Sequence, residues 1–100
     1  MTVIIPVDKK DQEEANIVSM NENHIWAHVC IQDGKIASCN FVDDRTTIID
    51  WVDCVVVINE KEYVWPFMEE GMVVLIAPIQ RSIDDIIEAF LFKELHDLSV

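Results

Sequence analysis

The chain has 100 residues, 51% of them apolar, with only 2 Gly and 3 Pro, so residues 1–100 are expected to form one domain with a single packed core and short loops. Nineteen acidic against seven basic side chains leave a formal charge of −12, which excludes nucleic acid as a partner, because phosphate binding needs a Lys/Arg footprint that this chain cannot assemble. The acidity either keeps a hydrophobic small protein soluble or addresses a basic protein partner. The longest nearly unbroken apolar run, Met72 to Ile79, is far below the ~20 residues of a membrane helix. The start, Met1 to Val7 and then Asp8 and Lys9, lacks the layout of a signal peptide, and a cytoplasmic protein without a membrane partner is expected. Cys30, Cys39 and Cys54 form an odd set without a CxxC, which disfavours a disulfide framework and a zinc ribbon.

Taken in chain order, Val3, Ile4 and Ile5 form a short apolar strand stopped by Pro6, and Asp8 to Asn16 is a charged loop. Ile25 to Gln32 and Lys35 to Val42 flank Asp33-Gly34, a strong two-residue hairpin signal because both turn positions require positive φ. Thr46 to Val52 is predicted to be a short helix capped by Asp44 or Thr46, and Cys54 to Ile58 a strand covered on both faces. Asn59 and Glu62 suggest a helix-starting box, and Pro66 would break the helix into two short pieces or kink it before the stop at Gly71. The apolar run Met72 to Ala77 then reads as a strand. Ser82 caps a helix to about Leu95, with Asp84 and Asp85 at the positive end of its dipole. Ile83, Ile86, Ile87, Phe90, Leu91 and Leu95 give that helix one apolar face, which must lie on a sheet. The order β, β, β, α, β, α, β, α implies an α/β fold whose mixed sheet carries the hairpin on one side and parallel strands with right-handed crossovers on the other.

If Asp33 and Gly34 are the turn residues, counting outward pairs Cys30 with Ala37, His28 with Cys39 and Trp26 with Phe41, all on one face. Ile25, Ala27, Val29, Ile31, Ile36 and Val42 then form the opposite, core face. Cross-strand Cβ atoms lie ~5 Å apart, which would let His28 and Cys39 share a soft metal or touch a metal cluster, with Cys30 diagonal and His24 further along the same face. The same residues also suit a helix-covered face, since buried cysteine behaves as a small hydrophobe. Cys54 is expected in the core, and His96 beyond the last helical turn, where its charge suits the dipole. Trp65-Pro66-Phe67 suggests an exposed aromatic patch for a partner, with at least one of the two rings in the core. Asp8 and Asp43 are the carboxylates that a Mg²⁺-dependent nuclease would use, a reading that the acidic surface opposes.

Six segments recur in a familiar order: Ile4-Ile5-Pro6-Val7-Asp8, Val18-Ser19, Asp33-Gly34-Lys35-Ile36, Val55 to Ile58, Gly71-Met72-Val73-Val74, and Ile86-Ile87-Glu88-Ala89-Phe90-Leu91 through Glu94-Leu95. Together they resemble the dinitrogenase iron–molybdenum cofactor biosynthesis family. The resemblance implies a ribonuclease H-like three-layer α/β/α fold with a mixed five-stranded sheet. It also implies a non-enzymatic protein that binds or carries iron–molybdenum cofactor or a related iron–sulfur or molybdenum cluster. His24, His28, Cys30 and Cys39 are the candidate cluster residues, and Trp65 and Phe67 the candidate partner residues. After Val18-Ser19 the family continues with a His-Phe-Gly-type motif, whereas this chain runs Met20-Asn21-Glu22-Asn23-His24; the expected glycine-rich loop after the fourth strand is Asn59-Glu60-Lys61-Glu62. These departures define the alternative: a scaffold repurposed as an acidic protein-interaction module without a cluster.

Overall fold

The computed structural model describes residues 1–22 and 25–98. Its elements are strands β1 (Thr2–Val7), β2 (Ile25–Gln32), β3 (Lys35–Val42) and β4 (Cys54–Val57), helix α1 (Trp65–Glu69), strand β5 (Val73–Ile76), helix α2 (Ile83–Leu91) and strand β6 (His96–Asp97). The strands form one mixed sheet in the order β3-β2-β1-β4-β5-β6. β1, β4 and β5 run parallel, and β2, β3 and β6 join antiparallel. The two-residue β6 is the sixth strand where the sequence implied five. No helix among the described residues is long and apolar enough to cross a membrane.

Both faces of the sheet are covered, which is why β1 and β4 are apolar at nearly every position. On one face, Val3, Ile5, Val29 and Val56 pack with Ile83, Ile86 and Ile87 of α2. On the other, Ile4, Val55, Val57 and Val74 pack with Trp26, Val64 and Phe67 around α1. Burying one such aliphatic side chain contributes about 1.5–3 kcal/mol. Pinned edges hold the 8–22 loop to the sheet: Asp8 accepts from the Asn16 amide at 2.9 Å, and the Ile17 amide donates to the Arg81 carbonyl at 2.8 Å.

Both helices end in the same way. In α1 the Gly71 amide donates to Met68 O and the Met72 amide to Phe67 O; in α2 the Lys93 amide donates to Phe90 O and the Glu94 amide to Ala89 O. This paired pattern is a Schellman cap, whose turning residue sits at positive φ. Gly71 adopts φ +85 without cost, while Lys93 is forced to φ 58. The cap at Lys93 explains why α2 stops at Leu91 instead of Leu95, and it turns the chain back so that His96 pairs with Ile76 in β6. His96 is therefore a strand residue.

Three further sequence expectations change. Thr46 to Val52 is not a helix: Asp44 caps only a single 3-10 turn, Arg45–Thr47. No box forms between Asn59 and Glu62, because Asn59 Oδ1 accepts from the Lys61 amide at 2.8 Å instead. Pro66 starts α1 rather than breaking it, since its missing N–H falls in the first turn, where no helical partner exists.

Two substitutions test this packing with opposite signs. Ile86→Ala, at a site with 0% exposure, is expected to lower unfolding free energy by about 2–5 kcal/mol, and Lys93→Gly to raise it by about 0.5–1 kcal/mol by relieving the left-handed backbone. Urea unfolding of both variants measures the two effects.

Candidate functional site

The hairpin turn forms where the sequence places it, with Asp33 at φ 54 and Gly34 at φ 73. The register beyond it does not follow from simple counting. Gln32 faces Lys35 and Ile31 faces Ile36, but a bulge then shifts the strands, so that Cys30 faces Ser38, Val29 faces Cys39, His28 faces Asn40 and Trp26 faces Val42. One extra residue in β3 moves every later side chain to the other face. Cys39 and Phe41 consequently pack with the α2 core, and Val42 with the α1 core, each opposite to the expected face. His28 and Cys30 share the Trp26 face through strand alternation, and Cys39 lies on the far side of the sheet.

The environments of these residues differ as well. Burial, and then the Asp84 carboxylate, push the Cys39 thiol up to about 11. Burial, and then Asp53 and Asp97, push the Cys54 thiol up to about 11. Both stay protonated near neutrality, whereas a metal ligand must be a thiolate. Cys54 is core, as expected. Cys30 Sγ lies 3.9 Å from Thr2 Oγ1. His28 is 8% exposed, and its buried Nε2 has no hydrogen-bond partner among the described residues. His24 lies outside the described residues. No group of three or more His, Cys, Asp or Glu side chains able to hold a metal ion occurs among the described residues.

The aromatic pair divides. Trp65 is 63% exposed, while Phe67 is 4% exposed and lies 5.8 Å from the Trp26 ring. Phe67 is therefore a core side chain, not a partner contact. Its outer face carries Arg45, whose guanidinium carbon sits 4.3 Å from the ring centroid, and the same guanidinium forks onto Glu70 at 2.8 and 3.3 Å. Stacking and the bidentate bond fix Arg45 in one orientation. Segments 45–52 and 70–72 then frame a cleft of about 240 Å³ floored by Ile4, with Asp50, Trp51 and Glu70 on its walls.

Arg45 and Trp51 escaped the sequence reading, and Glu62 entered it only as half of a helix-starting box. A lone arginine and an exposed tryptophan form no motif, and their role depends on contacts with Phe67, Glu70 and Gly71, distant in the sequence. Glu62 is 9% exposed; it accepts from the Met20 amide at 3.0 Å and from Ser19 Oγ at 3.3 Å, tying the 8–22 loop to the segment after β4. Asp8 and Asp43 are each engaged elsewhere, Asp8 with Asn16 and Asp43 with Lys10 at 3.1 Å.

No family model and no curated protein matches the chain. Solved structures do. The crystal structure of PH0822 superposes with a TM-score of 0.75 at 20% identity, covering 97% of this chain and 96% of that one. The crystal structure of MJ0327 from Methanocaldococcus jannaschii, a proposed dinitrogenase, superposes at 0.78 and 20% identity, covering 99% and 95%. Its NMR structure gives 0.78 at 19% identity, covering 100% and 94%. The chain is similar to these proteins in fold over nearly its whole length.

The Arg45 hydrogen bond holds the Glu70 carboxyl below its ordinary value of 4.5. A lowered carboxyl contributes stability that is present above 4.5 and is lost as pH falls through the lowered value. Carboxyl NMR titration is expected to find Glu70 below 4.5, moving back toward 4.5 in Arg45→Gln.

Proposed function

We propose that this chain is a non-enzymatic binding protein of the cofactor-biosynthesis type, and that it works through an acidic protein-contact surface rather than by carrying a cluster on its cysteines. The observation that carries the reading is the bulge in β3, which sets Cys39 on the opposite face from His28 and Cys30. A cluster bridging those side chains would have to pass through the sheet. The high thiol values of Cys39 and Cys54 support the same reading, because both hold protons that a bound metal must displace. Contact with a protein is supported by Trp51, Tyr63 and Trp65, which are 68%, 72% and 63% exposed on a chain of charge −12. Tyr63 and Trp65 flank a groove that Met68 and Leu98 also line. Three unpaired cysteines favour a reducing compartment such as the cytoplasm. A ribonuclease H-like three-layer description is supported by α1 and α2 lying against opposite faces of the sheet.

A second reading keeps iron–molybdenum cofactor, or another iron–sulfur or molybdenum cluster, as cargo. The unpartnered Nε2 of His28 favours it, since a buried imidazole nitrogen without a hydrogen bond is costly and a metal would satisfy it. Cys30, on the same face of β2, would be its neighbour in that case.

Anaerobic reconstitution with iron, sulfide and molybdate, followed by metal analysis, separates the two. The protein-contact reading predicts less than about one-tenth of a metal per chain after desalting, with no change in Cys39→Ser. A stoichiometric chromophore that is lost in His28→Ala or Cys30→Ser would replace it with the cargo reading.

A further inference from the structure

Three features of the cleft bounded by residues 45–52 and 70–72 belong together. First, Arg45, the one cation among the described lining residues, is already paired: both terminal nitrogens are bonded to Glu70, and its face is stacked on Phe67. Second, Asp50 is among the residues that line the same cleft, and its carboxylate makes no ion pair among the described residues. The lining therefore carries one negative charge in excess, within a chain of charge −12. Third, Trp51 stands on the wall with most of its indole in solvent. Its ring is held against Gly71, where a methyl group would lie 3.7 Å from it. A cleft lined by an exposed indole, an acidic residue without an ion pair and the apolar residues Ile4, Ile48 and Met72 is matched to a flexible cation with an aliphatic stem.

We propose that this cleft receives a lysine side chain from a basic protein partner. The ammonium would meet Asp50 and the face of Trp51, a pairing strengthened by partial desolvation. The four-carbon stem would lie on the apolar floor, where long charged side chains bury their methylenes. An anionic ligand is repelled by Asp50 and finds the charge of Arg45 already paired with Glu70. A bare divalent cation lacks oxygen ligands, since no group of three acidic or ligating side chains converges among the described residues. The volume of about 240 Å³ admits one side chain rather than a cofactor. This site rests on the protein-contact reading and names the chemistry of the partner.

The test uses the full chain, labelled with nitrogen-15, and a Gly-Lys-Gly-Lys-Gly peptide with blocked ends at low salt. The expected result is a saturable shift of the Trp51 indole N–H signal that weakens with added salt. Trp51→Ala is expected to weaken binding by about 2- to 30-fold, the range of an exposed to desolvated cation–π contact, and Asp50→Asn, which preserves shape, to weaken it as well. The same peptide with acetylated lysines should leave the signal unmoved. If the peptide binds with equal strength to wild type, Asp50→Asn and Trp51→Ala, the site is wrong. Binding that is lost instead in Trp65→Ala would overturn this cleft while leaving the protein-contact reading intact. Absence of any shift anywhere on the chain would overturn this site, and cluster uptake on reconstitution would then remove the broader reading as well.

Discussion

The two-sided burial of β1 is the constraint from which the rest of the molecule follows. Val3, Ile4, Ile5 and Val7 are all at 0% exposure, and a strand dry on both faces needs a neighbour on each side and an apolar layer above and below. The hairpin and β4 supply the neighbours, and the two helices with their loops supply the layers. Polar groups near β1 must then be satisfied locally. Thr2 does so through the Asp53 carboxylate, which accepts from its amide at 2.8 Å. Glu62 does the same for the loop that leaves the strand's far end.

That constraint was legible in the sequence, because unbroken β-branched runs and an i, i+3, i+4 helix stripe announce burial directly. Asp33-Gly34 and Gly71 were legible for a related reason: positive φ leaves a mark when glycine supplies it. Lys93 adopts the same left-handed backbone without that mark, so the end of α2 and the existence of β6 stayed hidden. The bulge in β3 was hidden too. Ala37 and Ser38 are small and tolerant residues, and nothing in their identity signals an extra residue in the ladder. Yet that single residue decides which face Cys39 and Phe41 occupy.

The candidate site shows the same division. His28 and Cys30 share a face because strand alternation is a local rule, whereas the partnership of either with Cys39 depended on register. Phe67 reads as half of an exposed aromatic patch until its ring is seen between Trp26 and Arg45. Arg45, Glu70 and Trp51 come together only through tertiary contacts, and with them comes a cleft whose charge balance favours a cation. The fold is shared with MJ0327 over nearly the full chain, but a fold does not carry a function by itself. On this copy of it, Cys39 lies on the opposite face of the sheet from His28 and Cys30.

The face on which Cys39 lies is therefore the point to measure. Backbone proton NOEs across the hairpin report the register directly. The account predicts cross-strand contacts of Cys39 with Val29 and of Asn40 with His28, beyond a bulge that follows the Ile31 and Ile36 pair. Contacts of Cys39 with His28 and of Ala37 with Cys30 would return the thiol and the imidazole to one face, contradict the account, and restore a cluster-binding hairpin.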